Sequence, residues 1–462
     1  MNYLLPGDMP FRSVDPSRGE AFATFSMHGD AQIEAALGDS ISAWTWAKGL
    51  TVAARADLLH KFADRLDAAL EALATLITRE MGKPISEARG EVRKCAASCR
   101  YLADKAEDWL APETIQSPAR SSAIHFDSLG PILAVMPWNF PLWQIVRFFA
   151  PAFLVGNVTI IKHAENVPST AEAVERLFLE AGFAKGAVIN LRIGHEAVGR
   201  LIADSRIRAV TVTGSVRAGR AIGAHAGQWG KPAVMELGGS DPFIVFADAS
   251  FDDAVRAAVA ARFANSGQSC VCAKRFLVEK SIADRFIEGF VAQTQRLQVG
   301  DPLQNDCAIG PMARRDLRDG LERQLARAVS EGAQTVLAGG TIDGPGNYFA
   351  PTVLTDFGLD NTAFREELFG PVAPIATFDT EDDCIRTANA TEYGLAAAIW
   401  TLDEARASRM ERALEAGAVF VNDIVRSDPS ISFGGTKASG YGRELGRLGV
   451  RQFANAKTIW RG

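Results

Sequence analysis

The spacing of hydrophobic residues between 52 and 80 predicts one amphipathic helix. Large apolar side chains recur there at steps of three and four, at Leu59, Phe62, Leu66, Leu70, Leu73 and Ile77. Side chains at that spacing share one face of an α-helix and are buried together. Gly82 and Pro84 follow the pattern directly and are expected to end the helix.

From residue 130 onwards the pattern changes to short apolar runs separated by amphipathic segments of helical length. The first series of runs is 131–137, 158–163, 188–194, 207–215 and 232–239. A second series follows at 242–247, 274–280, 370–378, 394–402 and 417–423. Strands that alternate with helices predict parallel sheets with helices on their faces, so the expected fold class is α/β. The segment 238–240, Gly-Gly-Ser, marks the expected boundary between the two units.

The composition narrows the class of protein. Of 462 residues, 47% are hydrophobic and 23% are charged, and the net charge is -6. An acidic chain gives no reason to expect nucleic acid or an anionic membrane as a partner. The amino terminus lacks the features of a secretory signal, and six cysteines are no disulfide framework in so long a chain. We therefore expect a cytoplasmic enzyme with reduced thiols. We expect no metal site, because the histidines lack the spacing of metal ligands.

Polar side chains follow several predicted strands at their carboxyl ends. These residues are Trp138 and Asn139, Lys162 and Glu165, Gly214 and Ser215, and Glu236. Ligands bind beyond the carboxyl ends of strands in open α/β sheets, so these side chains are expected to meet at one rim. A helix that opens at Ser215 offers free amides to a pyrophosphate, but the glycine spacing departs from the usual dinucleotide fingerprint, and a plain helix cap explains it equally well.

Two cysteines, Cys270 and Cys272, lie one residue apart in a turn rich in small residues. An isolated cysteine is most often a small buried hydrophobe. A thiolate that attacks a carbonyl, however, needs a donor for the developing oxyanion, which the Asn139 amide offers. It also needs a base that activates water to release the acyl group, and Glu236 is placed for that step. With a dinucleotide to accept hydride, this set of groups is suited to aldehyde oxidation.

Eight short motifs, in order along the chain, resemble those of the aldehyde dehydrogenase superfamily. They are TREMGKP (78–84), PWNFP (137–141), KHAE (162–165), VTGS (212–215), ELGG (236–239), GQSC (267–270), EELFGPV (366–372) and FGGTKASGYGRE (433–444). The resemblance implies a parallel-sheet cofactor domain, a second α/β catalytic domain and a small oligomerisation element. It also implies NAD(P)-dependent oxidation of an aldehyde to a carboxylic acid through a cysteine thiohemiacetal and thioester.

The resemblance implies a role for each site residue. It makes Cys270 the nucleophile, Asn139 with the Cys270 backbone amide the oxyanion hole, and Glu236 the base for deacylation. The cofactor positions that it implies are Trp138 and Phe369 at the nicotinamide, Glu367 at the nicotinamide ribose, Gly214 and Ser215 at the pyrophosphate, and Lys162 and Glu165 at the adenine-side ribose.

Glu165 favours NAD over NADP as the expected cofactor. A carboxylate accepts hydrogen bonds from both ribose hydroxyls but repels a 2′-phosphate. Like charges about 4 Å apart at an effective dielectric near 20 repel by roughly 4 kcal/mol. We therefore expect NAD to be preferred and NADP to be the lesser cofactor.

Within the superfamily, the chain is most similar to succinate-semialdehyde dehydrogenases. Arg147 matches an arginine that pairs with the substrate's distal carboxylate in those enzymes, and the alternative is an ordinary salt bridge. A second arginine of some members is replaced here by Ala264, and Arg426 is a candidate substitute for it. The expected substrate is succinate semialdehyde; a broad-specificity enzyme, or one for another semialdehyde such as glutarate semialdehyde, is the alternative.

The resemblance also implies a regulatory and an oligomeric feature. Some succinate-semialdehyde dehydrogenases close the same pair of cysteines into a disulfide, so Cys272 is a candidate redox switch, with filler behind the loop as the alternative. The expected domains are cofactor-binding (1–115 and 135–238) and catalytic (239–430). An oligomerisation element is expected to combine a hairpin near 116–134 with the terminal strand 450–462. A homodimer or homotetramer follows from this element.

Overall fold

The chain builds two large sheets covered by helices. A computed structural model describes residues 11–462, so the first ten residues of the predicted cofactor domain lie outside the described residues. Within residues 11–462 there are fifteen α-helices: α1 Asp30–Gly49, α2 Val52–Ala68, α3 Leu70–Met81, α4 Ile85–Leu110, α5 Trp143–Val155, α6 Pro168–Glu180, α7 His195–Ala203, α8 Val216–Gln228, α9 Phe251–Phe263, α10 Ala283–Thr294, α11 Arg315–Ser330, α12 Thr362–Arg365, α13 Glu381–Asn389, α14 Glu404–Ala413 and α15 Gly446–Gln452. The same residues form twenty-two strands: β1 Phe11–Asp15, β2 Glu20–Phe25, β3 Glu113–Thr114, β4 Ser121–Ser128, β5 Pro131–Val135, β6 Val158–Lys162, β7 Val188–Asn190, β8 Ala209–Thr213, β9 Ala233–Glu236, β10 Asp241–Val245, β11 Ala273–Glu279, β12 Gln334–Leu337, β13 Gly340–Thr341, β14 Phe349–Ala350, β15 Thr352–Thr355, β16 Val372–Phe378, β17 Tyr393–Gly394, β18 Ala396–Trp400, β19 Ala418–Val421, β20 Thr436–Lys437, β21 Gly440–Tyr441 and β22 Ala454–Arg461.

A six-stranded sheet in the order β21-β9-β8-β5-β6-β7 forms the first unit. Strands β5 to β9 run parallel, and β21 alone is antiparallel to its neighbour. β6 and β8 are buried along their whole length, as expected where helices cover both faces. The strand order reverses between β5 and β8, and the carboxyl ends of these two strands flank the crevice where such sheets bind ligands.

A seven-stranded sheet in the order β12-β15-β16-β11-β10-β18-β19 forms the second unit. Its strands are parallel except for β12, which pairs antiparallel with β15. The predicted α/β class, with two consecutive series of strands, is confirmed.

The amphipathic segment predicted as one helix over 52–80 is two helices, α2 and α3, which meet at Ala69. Ala69 leaves the helical conformation, with φ -96° and ψ 8°. Both helices contact α4, but α3 also packs on β1. The apolar faces of the two helices are therefore buried against different sets of neighbours. The predicted end of the segment is confirmed, since Gly82 terminates α3 in the left-handed region at φ 79°.

A small antiparallel sheet, β22-β4-β3, stands apart from the two large ones. Its strand β22 pairs with β4 along all eight of its residues. Two predicted boundaries need correction, because residues 131–134 belong to β5 of the six-stranded sheet and Val450 lies in α15. Residues 116–134 also form no hairpin by themselves, since β4 pairs with β3 and β22. The division into domains otherwise stays a prediction.

The segment 433–444 connects the two units. Its strand β20 pairs with β17, and four residues later β21 pairs with β9 at the edge of the six-stranded sheet. This path brings Glu444, at the end of the segment, close to Glu236 at the carboxyl end of β9. None of the helices within residues 11–462 has the length and apolar character that crossing a bilayer requires.

Candidate active site

The loop that carries Cys270 has an unusual backbone. Asn265, Ser266 and Gly267 all have positive φ, at 53°, 55° and 73°. Two consecutive non-glycine residues in the left-handed region are costly, so the surrounding structure must hold them there. Gly267 is required at its position, because a Cβ atom would collide with the carbonyl of Gly370 as well as being strained at that φ.

Lys274, at the start of β11, holds the Cys270 loop through hydrogen bonds to its backbone. Its buried ammonium donates hydrogen bonds to the carbonyls of Ser269 (2.7 Å) and Cys270 (3.0 Å). It also forms an ion pair with Glu367 at 3.1 Å. Lys274 therefore fixes the loop backbone, and Glu367 neutralises the charge of its buried ammonium.

The Cys270 thiol is half-buried, whereas Cys272 is buried. Burial raises the pKa of Cys270 to about 11, although the positive charges of Arg147 and Lys274 oppose the shift. The thiol is therefore protonated at neutral pH in the protein without ligands. Sγ of Cys272 donates to the carbonyl of Ala264 at 3.5 Å, on the inner side of the loop.

Asn139 lies in the turn after β5 and meets the Cys270 loop directly. Its buried side-chain Nδ2 donates to the carbonyl of Gln268 at 3.2 Å. Asn265 Nδ2 donates to the same carbonyl and to the carbonyl of Asn139, both at 3.0 Å. The second hydrogen of the Asn139 amide remains free to donate to an oxygen beside the cysteine. The structure thus brings Asn139 to the loop that carries Cys270, although these two residues are 131 positions apart in the chain.

Helix α4 holds both of these segments from one side. The Glu91 carboxylate accepts the backbone amides of Leu142 (3.0 Å) and Trp143 (2.9 Å), which follow the Asn139 turn. Glu87, one turn earlier on the helix, accepts the backbone amide of Asn265 at 2.7 Å. Buried Lys83 forms an ion pair with Glu91, which offsets the cost of burying that carboxylate.

Glu236 ends β9 and is buried, with one carboxylate oxygen that has no hydrogen-bond partner among residues 11–462. Burial raises its pKa well above the usual range, and the nearby carboxyl of Glu444 raises it further. Arg147 and Arg443 oppose that shift. A carboxyl with these properties is suited to exchange a proton near neutral pH.

Arg147 forms an ion pair inside the protein, which was the alternative to its predicted role in substrate binding. Its guanidinium forms an ion pair with Glu444, and each of the two side chains is only 2% exposed. It also donates to the hydroxyl of Thr213 at 3.3 Å. Because Arg147 is paired inside the protein, a distal substrate carboxylate would compete with Glu444 for it.

A cavity of about 650 Å³ lies at the carboxyl ends of β5, β6 and β8. Lys162, Glu165 and Gly214 line it, as predicted for cofactor positions. Ser215 is exposed and caps α8 by accepting the amide of Ala218 at 3.3 Å, so the simple helix-cap interpretation describes its contact here. The cavity's size, its buried lysine and the start of α8 at its rim fit a dinucleotide.

The predicted nicotinamide positions lie together near the Cys270 loop. The rings of Trp138 and Phe369 pack edge to face with centroids 5.8 Å apart. Glu367, besides pairing with Lys274, accepts the backbone amide of Gly239 at 3.2 Å. Lys274 Nζ lies 5.6 Å from the Phe369 ring centroid, so these residues and the loop form one contiguous wall.

Several residues of the site were missed by sequence reasoning. They are Lys83, Glu87, Glu91, Asn265, Lys274 and Glu444. One signal in the sequence was the lysine and arginine pair at 274–275, which directly precedes the apolar run 276–278. The carboxylates of α4 carried no such signal, because charged residues on a helix are usually exposed to solvent.

These features define a class of protein: an α/β enzyme with a half-buried thiol, an amide donor, a buried carboxyl and a dinucleotide-sized cavity. The chain belongs to the aldehyde dehydrogenase family, whose model matches residues 6–459. A probable succinate-semialdehyde dehydrogenase [NADP(+)] of Synechocystis sp. is 44% identical over 98% of this chain and 100% of its own. The Escherichia coli succinate semialdehyde dehydrogenase [NAD(P)+] Sad is 45% identical over 97% of both chains. The crystal structure of the Streptococcus pyogenes succinic semialdehyde dehydrogenase with NADP+ is 35% identical, with a TM-score of 0.95 over 97% of this chain and 99% of that one.

The comparisons confirm the predicted family and fold, and with them NAD(P)-dependent oxidation of an aldehyde to a carboxylic acid. The prediction that NAD is preferred is wrong, because relatives along the whole chain are named for NADP+ and a structural neighbour binds it. The physical reason lies around Glu165, whose carboxylate is 54% exposed and lies 3.5 Å from Lys162 and 3.7 Å from His195. Its charge is therefore screened by solvent and partly balanced by the Lys162 ammonium.

Proposed function

We propose that this enzyme oxidises succinate semialdehyde to succinate with NADP+. The relatives with this activity in their names match the chain from end to end. The observation that carries the chemistry is the junction at the Gln268 carbonyl, where the Asn139 amide is bonded to the Cys270 loop. That junction supports the proposal that Asn139 donates to the oxyanion formed at Cys270.

The first half of the reaction uses Cys270 and Asn139. The Cys270 sulfur adds to the aldehyde carbon, and its proton leaves to solvent or a nearby base. The oxyanion of the thiohemiacetal accepts hydrogen bonds from Asn139 Nδ2 and the Cys270 amide. A bound NADP+ would supply the acceptor for the hydride that leaves this carbon, and a thioester on Cys270 would remain.

The second half uses Glu236. Its unpartnered carboxylate oxygen takes a proton from water as the water attacks the thioester carbonyl. The acid leaves, and the thiol of Cys270 recovers a proton. The raised pKa of Glu236, caused first by burial, makes this carboxylate a stronger base than an exposed one.

NADP+ is accommodated in the cavity that Lys162 and Glu165 line. Lys162 is buried there, and Arg314 lines the same cavity from the other unit. The pKa of Arg314 is raised, first by its hydrogen bond to Asp316 and in part by Glu165. Two cations beside one exposed carboxylate support a site that tolerates a 2′-phosphate.

A homodimer or homotetramer is part of the same proposal. The support is β22, an eight-residue strand at the edge of its sheet, with Trp460 58% exposed. Long exposed edge strands are normally covered, because their free backbone groups pair readily with another chain. Light scattering after size exclusion measures the assembly, and a monomer at micromolar concentration contradicts it.

The activity is tested by NADPH formation with succinate semialdehyde, glutarate semialdehyde, acetaldehyde and benzaldehyde. The highest kcat/KM is expected with succinate semialdehyde, and equal values across the panel would instead show a broad-specificity enzyme. Cys270→Ala is expected to abolish turnover, and Asn139→Ala to lower kcat by about a hundredfold or more. Full activity of the cysteine variant would end the proposal.

A further inference from the structure

A cavity of about 190 Å³ leads to Cys270 and is separate from the cofactor cavity. Cys270 lies in its wall, and the rings of Phe140 and Trp143 form apolar sides. A cavity of this volume suits a substrate of a few carbon atoms. Selection among short aldehydes therefore depends on the polar groups in this wall.

Three cationic side chains line this cavity: Arg147, Arg426 and Lys94. Arg147 is paired with Glu444, as described above. Arg426 is paired with Asp423 through both terminal nitrogens at 2.7 Å. Lys94, by contrast, has no carboxylate within 4 Å of its ammonium in the part of the chain that the structure describes.

The ammonium of Lys94 and the hydroxyl of Ser427 form a polar pair in the cavity wall. Lys94 Nζ donates to Ser427 Oγ at 2.9 Å and lies 4.2 Å from the centroid of the Trp143 ring. Trp143 Nε1 donates to the same hydroxyl at 3.2 Å. Because Ser427 Oγ accepts two hydrogen bonds, its own proton is available to a ligand. Two of the three ammonium hydrogens of Lys94 are available as well.

We propose that Lys94, assisted by the hydroxyl of Ser427, binds the carboxylate at the far end of the aldehyde substrate. The inference rests on the proposed function, in which that substrate carries a carboxylate. Lys94 and the Ser427 hydroxyl can bind the carboxylate of a short ω-carboxylated aldehyde. The apolar walls between these groups and the Cys270 sulfur suit its carbon chain.

The other charges around Lys94 agree with this assignment. The pKa of Lys94 is lowered to about 8, first by burial and in part by the positive charge of Arg147. Cys95, Glu91 and Asp428 oppose that shift. A bound carboxylate would stabilise the charged ammonium that burial disfavours, so binding of an anion is favoured here beyond that of a neutral chain end.

The test compares kcat/KM for succinate semialdehyde with kcat/KM for butyraldehyde, which lacks the carboxylate. In Lys94→Gln the ratio of the two values is expected to fall at least about tenfold, equivalent to about 1.4 kcal/mol. Lys94→Arg, which keeps the charge, is expected to retain most of the ratio. Lys105→Gln, an exposed lysine on the same helix, is the matched control and leaves the ratio unchanged.

A second measurement needs no turnover and covers a variant of low activity. Succinate is expected to protect Cys270 of the parent enzyme from iodoacetamide, and to protect Lys94→Gln at least tenfold less well. An unchanged ratio and unchanged protection in Lys94→Gln, or a selective loss in Arg426→Gln instead, would overturn the assignment. If the parent enzyme itself does not favour succinate semialdehyde over butyraldehyde, the proposed function fails, and that result is distinct from failure of Lys94 alone.

Discussion

Glu87 and Glu91 lie one turn apart on α4, and their carboxylates bind the two backbone segments that carry the reacting groups. Residues four apart on a helix project from the same face, so one rigid helix sets the separation of the two segments. Glu91 holds the turn after Asn139, and Glu87 holds the start of the Cys270 loop. The geometry between the oxyanion donor and the sulfur therefore depends on a helix that contributes no reacting atom.

Loss of the Glu87 carboxylate should lower kcat. Glu87→Ala removes the acceptor for the Asn265 amide, so the left-handed backbone there loses one of its supports. We expect kcat to fall by about tenfold to a hundredfold, as for other small displacements of reacting groups. Glu87→Gln keeps an oxygen acceptor and should recover most of the activity. Glu107→Ala, exposed on the same helix, is the control. Equal activity of both Glu87 variants and the parent contradicts the positioning role.

Glu444→Gln should shift the pH dependence of deacylation. The pKa of Glu236 is raised by burial and then by Glu444, and removal of that negative charge lowers it. Arg147 is also freed to stabilise ionised Glu236. Ionisation then begins at lower pH, so the acid limb of the kcat profile should move down by about one pH unit. Glu444→Asp, which keeps the charge, should leave the limb in place. An upward shift in Glu444→Gln would contradict this account.

Alkylation of Cys270 in the enzyme without cofactor should accelerate with pH over an unusually wide range. The thiol pKa of about 11 lies above the usual value because of burial, so the thiolate fraction grows about tenfold per pH unit from 7 to 10. The rate of iodoacetamide incorporation, with Cys270→Ala as background, measures it. A plateau above pH 8 would show that the thiol ionises far more easily than its surroundings indicate.

Glu165→Gln should improve the use of NADP+. The change removes a negative charge from the cavity while Lys162 keeps its positive one. Because the carboxylate is exposed, we expect KM for NADP+ to fall only about twofold to fivefold, the range for screened surface charges. KM for NAD+ should rise, since an acceptor for ribose hydroxyls becomes an amide. Glu180→Gln on α6 is the control, and a rise in KM for NADP+ would be the contrary result.

Cys272 stays a predicted redox switch. Its sulfur lies on the inner side of the loop and is bonded to the Ala264 carbonyl, so a disulfide with Cys270 requires the loop to move. Peroxide should inactivate the enzyme, and dithiothreitol should restore it. In Cys272→Ala the inactivation should become resistant to dithiothreitol, because the Cys270 sulfenic acid is then oxidised further. Full recovery of that variant would remove Cys272 from the process.

The sequence by itself determined the α/β class, the strand ends that carry Asn139 and Glu236, and the family through its eight motifs. These features are local, because each depends on hydrophobic periodicity or on residues within a few positions of one another. Reasoning from a single side chain was less reliable. Glu165 alone indicated NAD, but its effect depends on how exposed it is and on the cations around it.

Only the tertiary structure decided which charged side chains serve the site. In the sequence, nothing distinguishes these residues from charges on the surface. Only burial and interaction partners set apart Arg147, Glu444, Lys94 and Glu87. Arg147 is paired with a carboxylate almost 300 residues away, whereas Lys94 has none within reach among the described residues. The physical reason is that the energy of a charge is set by desolvation and by neighbours within a few ångströms, and chain folding alone brings those neighbours together.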